Sequence, residues 1–383
     1  MYYGPVGRHA GGMTATLAPT TCEHRLANLR SAMESRGWAA VAVTSPECIY
    51  YLTGLDHLGY FSFTLLVVPV DGAPTILTRE MERPTIRAQL GGCRHVTFAD
   101  GTDAAAVAAT ELAGVPDGVL GVEEGSMFFP PAIRARLAAE LPQRAIADAT
   151  TLLTDLRAVK SASEVEHVRA AATVSDQAMQ AVLRTVGVGV PERELAATAQ
   201  ATMYTTGGQQ PGFAPLIRPL WMLDQEHVSW GDRELQAGDG LFVELSGCVR
   251  RYHAPLSRTI YLGSLPDGAA QAHGIALEGL GAAQQALRPG VPTGEVFAAW
   301  QHAVGGAVRH HCGYLVGIGF PPSWVGGGEV LGIRPGGETL VEAGMTFHLM
   351  SWVHGHVISD TALVTEDSTE LLTKTPRTLT IRD

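Results

Sequence analysis

Residues 238–262, GDGLFVELSGCVRRYHAPLSRTIYL, carry the clearest pattern for predicting the fold. It opens with the turn Gly238-Asp239-Gly240 and runs into apolar residues, which predicts a β-strand over residues 240–246. A second run with β-branched residues predicts another strand over residues 258–262. Two strands this close along the chain are typical of an antiparallel sheet, because parallel strands need a long crossover connection.

The segments around this stretch predict a domain of helices grouped around one curved sheet. Two further strands are expected, over residues 345–351 and 356–364. A capping box, with Ser161 as the N-cap and Glu164 three residues later, begins a long helix. Helices are expected over four segments, near residues 161–185, 192–205, 270–286 and 293–312. The pattern indicates the α+β class rather than a doubly wound dinucleotide-binding fold.

The first part of the chain predicts a smaller α/β domain in which helices and strands alternate. Strands are expected over residues 39–44, 63–70 and 74–78, and helices over residues 25–33, 82–89 and 104–112. The expected organisation is a flexible tail over residues 1–21, an N-terminal domain over 22–152 and a C-terminal domain over 153–383. A chain of 383 residues also exceeds one typical core, so two domains agree with its length.

Composition and charge argue against several classes of protein. The formal net charge is −11, whereas binding to nucleic acid or to an anionic membrane needs clustered Lys and Arg. No apolar run reaches the roughly 18 to 20 residues of a membrane span. The five cysteines are scattered and form no CxxC pair, so neither structural disulfides nor zinc knuckles are expected and a reducing cytoplasm fits best.

Several short motifs resemble, in the same order, those of the prolidase–creatinase family. They are the linker-helix segments 156–160, 163–166 and 169–171, then Gly238-Asp239-Gly240, Ser257-Arg258-Thr259, Gly317-Ile318-Gly319, Ala343-Gly344-Met345, the closing segment 361–365 and the tail 376–379. The resemblance covers roughly residues 22–383, and the N-terminal domain is matched less specifically than the rest. It implies a C-terminal domain with the pita-bread fold and a creatinase-like N-terminal domain.

The resemblance also identifies the positions at which metal-dependent members of this family bind two divalent ions. Those members use two Asp, one His and two Glu as ligands. Carried over one at a time, the five positions fall on Glu244, Pro255, Tyr314, Met350 and Ser359. Proline and methionine do not hold a hard divalent ion, and neutral Tyr and Ser are weak ligands. Neither a metal nor another cofactor is therefore expected.

One further family position, a histidine about 17 residues before the first Asp ligand, is the catalytic acid–base of creatinase. Counting back 17 residues from Glu244 gives His227. Histidine suits proton transfer near neutral pH because its unperturbed pKa is about 6.5. The chain thus resembles the metal-free branch of the family, creatinase and especially the ectoine hydrolases, with His227 as general acid and base. The alternative is a structural histidine packed beside Trp230.

Glu244 is the other candidate catalytic residue. Its carboxylate suits pairing with a cationic amidinium or guanidinium, or nucleophilic attack. The alternative is a buried glutamate that an arginine such as Arg258 neutralises. The two roles of Glu244 in catalysis, as nucleophile or as anchor for a cation, stay open at the level of sequence.

Further side chains are predicted to contact the substrate. His253 lies two residues from Pro255 and His348 two residues from Met350, so strand periodicity places both histidines toward the same cavity. For both, an ordinary hydrogen-bonded core histidine is the alternative. The remaining candidates for substrate contact are Tyr314, Ser359, Asp360, Arg258 and Trp324.

These residues favour metal-independent hydrolysis of a non-peptide C–N bond in a small zwitterionic amidine or guanidino compound. The alternatives are an Xaa-Pro metallodipeptidase, a biosynthetic enzyme that catalyses cyclisation or elimination, and a non-catalytic binding protein. The resemblance further implies a homodimer in which residues 51–61 of the N-terminal domain complete the cavity of the other subunit.

Overall fold

The computed structural model describes residues 19–91, 93–306, 309–326 and 330–383. Most of the tail expected over residues 1–21 therefore lies outside the described residues, and the first helix begins at Pro19. The chain divides into two compact units, the first ending at Leu153 and the second beginning at Thr154. Along the described ranges, no helix combines the length and the apolar character that crossing a membrane requires.

The N-terminal unit is built on a six-stranded sheet with the strand order β4-β3-β2-β1-β5-β6. Its strands are β1 Trp38–Val43, β2 Leu65–Pro69, β3 Thr75–Arg79, β4 Arg94–Phe98, β5 Val119–Val122 and β6 Ile146–Asp148. Its helices are α1 Pro19–Glu34, α2 Pro46–Thr53, α3 Arg83–Gln89, α4 Ala104–Ala113 and α5 Pro131–Glu140. The central strand β1 is almost wholly buried, so apolar residues fill it continuously instead of alternating with polar ones.

The C-terminal unit is built on a longer, mainly antiparallel sheet with the order β10-β11-β12-β9-β8-β7. Its strands are β7 Leu216–Pro219, β8 Gly240–Val249, β9 Tyr252–Leu262, β10 Gly313–Leu315, β11 Thr346–Val353, β12 His356–Val364, β13 Thr369–Leu371 and β14 Thr380–Arg382. Helix α6 Thr150–Ala158 contains the boundary between the units. The other helices of the C-terminal unit are α7 Ala162–Thr185, α8 Glu192–Thr205, α9 Ala269–Ala286 and α10 Thr293–Ala303. The expected α+β class is confirmed.

Strands β8 and β9 form one long hairpin, which extends both strands predicted from the sequence. The hairpin turns at Arg250 and Arg251, whose φ angles of 48° and 65° lie in the left-handed region. The predicted helix over residues 293–312 is shorter in the structure. It ends at Ala303, and Gly305 and Gly306 follow with φ angles of 70° and 83°, which end a right-handed helix.

Helix α7 covers one face of the sheet. The predicted capping box is present, because Ser161 and Glu164 each satisfy a backbone N–H of the other. At Gly247 of β8 the helix approaches so closely that an added Cβ would lie 2.4 Å from the carbonyl oxygen of Ala171. Ser175 bridges helix and hairpin, accepting from the Gly247 N–H at 2.6 Å and donating to the Ala254 carbonyl at 2.6 Å. The candidate site occupies the opposite face.

Candidate functional site

A row of paired residues crosses the face of the C-terminal sheet that lies opposite α7. The strand register pairs Met350 with Ser359, Ser359 with Ser257, Ser257 with Glu244, and Glu244 with Leu216. Because paired residues of antiparallel strands point to the same face, these five side chains share one surface. Glu244 supplies the single carboxylate of the row.

A pocket with a cavity volume of about 60 Å³ lies over this surface. The side chains that line it are Phe213, Leu216, Arg218, Glu226, His227, Glu244, Arg309, His311, Tyr314, Trp324, Met350 and Trp352. Four residues predicted from the sequence to act at the site, His227, Glu244, Tyr314 and Trp324, are thus brought together.

Glu244 is buried, with 5% of its surface exposed. Burial raises the pKa of its carboxyl to about 7, and the nearby charge of Arg218 only partly opposes this effect. His348 Nδ1 lies 3.7 Å from Glu244 Oε1, but burial lowers the pKa of His348 to about 3. His348 is therefore neutral, and the contact is not an ion pair. Glu244 changes its charge close to neutral pH.

A chain of hydrogen bonds runs beside Glu244 through five side chains. Trp324 Nε1 donates to Tyr314 Oη at 3.0 Å, and that hydroxyl lies 2.9 Å from His348 Nδ1. His348 Nε2 lies 2.7 Å from Ser359 Oγ, which donates to Ser257 Oγ at 2.8 Å. The predicted donors Tyr314 and Ser359 therefore already have protein partners, and the chain holds this wall of the pocket in one arrangement.

His227 is exposed and lines the pocket together with Phe213, on which its ring stacks with centroids 6.0 Å apart. Its φ of 61° is left-handed, a conformation that costs energy in most residues and that occurs more often at functional sites. Trp230, in contrast, packs against the apolar core between α7 and the sheet. The ring that stacks on His227 is thus that of Phe213.

Sequence reasoning missed Arg218, which lies in β7 opposite Phe242. The side chain is 2% exposed, and its guanidinium group lies 4.6 Å from the centre of the Phe242 ring. Within the described part of the chain, Nε and Nη1 of Arg218 have no hydrogen-bond partner. The signal in the sequence that could have identified Arg218 is its position as the lone charged residue in the apolar run that forms β7.

Three more charged or titratable residues of the pocket were also missed. Arg309 Nη2 donates to Glu226 Oε1 at 2.9 Å, and its guanidinium group lies 4.1 Å from the centre of the Trp352 ring. Burial lowers the pKa of His311 to about 4, so this ring is neutral near pH 7. Arg309 is therefore bonded to Glu226 through Nη2, although its Nε has no partner in the described residues, whereas Arg218 has no hydrogen-bond partner at either Nε or Nη1.

His253 does not line the pocket, in contrast to the prediction from strand periodicity. Its Nε2 accepts from the Gly212 N–H at 2.9 Å, and its Nδ1 lies 3.0 Å from the carbonyl oxygen of Arg251. Burial lowers its pKa to about 4. The hydrogen-bonded core histidine, the alternative raised from the sequence, describes this residue, which holds the backbone next to Phe213 in place.

Arg258 and Asp360 lie on the opposite face of the sheet, so their predicted contact with substrate is corrected to a structural ion pair. Arg258 Nη2 donates to Asp360 Oδ1 at 3.0 Å, and Arg377 Nε donates to Asp360 Oδ2 at 2.6 Å. Because successive residues of a strand face opposite sides, Ser257 and Ser359 share the sheet face of Glu244 while Arg258 and Asp360 do not. The arginine close to Glu244 is Arg218, not Arg258.

The side chains at the five family metal positions do not fit a site for two divalent ions. Pro255 offers no donor and Met350 offers a soft thioether, whereas manganese and cobalt prefer hard oxygen ligands. The hydroxyls of Tyr314 and Ser359 belong to the hydrogen-bonded chain. Over residues 19–91, 93–306, 309–326 and 330–383, no three His, Cys, Asp or Glu side chains are grouped so that they could hold a metal ion.

Comparison with known proteins links both units to one family. Residues 166–366 match metallopeptidase family M24, and residues 25–159 match the creatinase/prolidase N-terminal domain. The ectoine hydrolase of Halomonas elongata is 30% identical over 94% of this chain and 96% of its own. The Xaa-Pro dipeptidase of Pyrococcus furiosus is 27% identical over 60% of this chain and 66% of its own.

Solved structures agree with these matches. The dipeptidase PepE from Mycobacterium ulcerans superposes with a TM-score of 0.81 and 26% identity, covering 96% of this chain and 99% of that one. The prolidase from Pyrococcus horikoshii OT3 superposes with a TM-score of 0.80 at 21% identity, covering 93% and 99%. The expected pita-bread fold is confirmed.

Proposed function

We propose that this chain, which belongs to metallopeptidase family M24 and is a hydrolase of that fold, hydrolyses a non-peptide C–N bond without a metal ion. The proposed substrate is a small zwitterionic compound with an amidine or guanidino group. One observation carries the proposal: the pocket combines a single buried carboxylate, Glu244, with an exposed His227. The other family metal positions hold Pro255, Tyr314, Met350 and Ser359.

The chemistry follows from the two side chains. The ionised form of Glu244 pairs with the amidinium and draws its carbon into the pocket. His227 removes a proton from water as the water oxygen bonds to that carbon, and returns the proton to the nitrogen whose C–N bond breaks. The products are an amide and an amine. Ectoine, a cyclic amidine with a carboxylate, is the first compound to test because a relative of this chain is named for its hydrolysis.

Elemental analysis of the purified protein tests the absence of a metal. We expect no stoichiometric divalent ion and full turnover of ectoine, creatine or a small amidine after treatment with a chelator, since the five family positions do not fit two ions. A panel that includes an Xaa-Pro dipeptide identifies the substrate. Two divalent ions per chain, with dipeptide hydrolysis lost to the chelator, would contradict the proposal and identify a metallodipeptidase.

Replacing His227 by Ala is expected to lower kcat by about 10²-fold or more, because general acid–base catalysis typically contributes that much. The measurement is turnover of the substrate identified above. His354→Ala is the matched control, since His354 is another exposed histidine with a left-handed φ, 46°, and it does not line this pocket. Equal turnover by the two variants would remove His227 from the mechanism.

A further inference from the structure

Arg218 of β7 is a diagonal neighbour, across the paired strands, of Glu244 in β8, the proposed catalytic carboxylate. The register pairs Leu216 with Glu244, and Arg218 with Phe242, which is two residues from Glu244 on the same face. Diagonal neighbours of this kind lie roughly 7–8 Å apart between Cα atoms. Arg218 and Glu244 both line the pocket, so a small molecule bound there can contact both groups.

The charge of Arg218 is buried without the hydrogen bonds that normally accompany burial. Only 2% of the side chain is exposed, and Nε and Nη1 have no partner among the residues that the structure describes. A buried charge that lacks hydrogen bonds is costly, because a guanidinium group stays protonated and cannot escape the cost by losing its proton. Glu226, an acid of the same pocket, is hydrogen-bonded to Arg309 instead.

The guanidinium carbon of Arg218 lies over the Phe242 ring, 4.6 Å from its centre. A planar guanidinium presents paired N–H groups in a fork that matches the two oxygens of a carboxylate, which a lysine does not provide. Neither Nε nor Nη1 of Arg218 has a protein partner in the described residues, and each can form such a fork together with Nη2. The position of Arg218 in the pocket therefore suits an anion with two oxygens at one end.

We propose that Arg218 binds the carboxylate of the substrate and makes the enzyme selective for amino-acid-like zwitterions. The anionic end lies at Arg218 and the cationic end at Glu244, so the pocket recognises both ends of one molecule. The assignment of the cationic end rests on the proposed function. Neutral or purely cationic amidines lack the group that Arg218 binds.

Arg218→Met and Arg218→Lys test this assignment through the choice between a carboxylate and its carboxamide. With ectoine and its carboxamide, the wild type is expected to prefer the carboxylate in kcat/KM. Arg218→Met should raise KM for the carboxylate by roughly 10²-fold, the typical effect of losing charge-assisted hydrogen bonds, and leave the carboxamide little changed. Arg218→Lys keeps the charge but loses the fork, and should lose most of the preference.

Arg309→Met is the matched control, because Arg309 is the second guanidinium of the pocket and is already bonded to Glu226. Whatever its effect on turnover, this variant should keep the ratio between carboxylate and carboxamide. A preference that survives in Arg218→Met would overturn the proposal and leave Arg218 as a counter-charge for Glu244. Thermal unfolding confirms that each variant is folded before its kinetics are compared.

Binding measured without turnover separates this proposal from the proposed function. Calorimetry at pH 8, where Glu244 is mostly ionised, compares ectoine, acetamidine and acetate. We expect ectoine to bind more tightly than acetamidine in the wild type and equally in Arg218→Met. Binding that depends on Arg218 but leads to no product would sustain the carboxylate site and reject the hydrolysis. Turnover of a substrate whose binding does not depend on Arg218 would sustain the hydrolysis and reject the carboxylate site.

Discussion

Replacing Glu244 by Gln is expected to lower kcat by at least about 10³-fold, between the typical effects of removing a general acid–base and a nucleophile. Gln keeps the shape of the side chain but carries no negative charge to pair with an amidinium and attacks carbon poorly. The substrate panel described above provides the measurement. Glu226→Gln, at another acid of the same pocket, is the control and should retain much more turnover. Comparable losses in both variants would contradict a specific role for Glu244.

The same substitution has a pH-dependent effect on stability. Since folding raises the pKa of Glu244 from 4.5 to about 7, ionisation is harder in the folded state, and wild-type stability falls as pH rises between these values. Glu244→Gln should thus be the more stable protein at pH 8, by on the order of 3 kcal/mol, with the difference disappearing near pH 4.5. Denaturant unfolding at both pH values measures it, and a difference independent of pH would show that the pKa is not raised.

Replacing Asp360 by Ala is expected to destabilise the C-terminal unit by about 3–5 kcal/mol, because it leaves Arg258 as a buried charge without its carboxylate. Arg258 is 3% exposed and Asp360 is fully buried, so water cannot replace the lost partner. Urea unfolding provides the free energy. Asp232→Ala, which removes an exposed ion pair with Arg193, is the matched control and should change little. Similar losses in both variants would contradict the structural role of the buried pair.

The site residues that could be predicted from the sequence are those to which both strand alternation and motif spacing apply. Glu244 and Tyr314 were placed by counting along motifs, and both line the pocket. The same alternation argues against Asp360, since it follows Ser359 directly and must face the other side of β12. His253 has the expected alternation, but the sequence does not show that the Gly212 N–H occupies its ring nitrogen. The burial of a side chain and its hydrogen-bond partners depend on contacts between residues that lie far apart along the chain.

Arg218 is a pocket residue that counting along motifs could not identify. It lies in a four-residue strand at the edge of the sheet, outside every motif used to place the other residues. Its importance arises from pairing with β8, which brings it next to Phe242 and close to Glu244. The shortening of α10 has a local cause instead, since Gly305 and Gly306 were visible in the sequence as residues that end a helix.

The chain of hydrogen bonds beside Glu244 has a direction. Trp324 can only donate, and Ser359 uses its own proton toward Ser257, so Ser359 must accept from His348 Nε2. His348 Nδ1 then accepts the proton of Tyr314. His348 is thus held as the neutral ring with its proton on Nε2, because adding a proton to Nδ1 would break the hydrogen bond from Tyr314. The proton transfer proposed for His227 would therefore take place at the exposed side of the pocket, apart from this chain of hydrogen bonds.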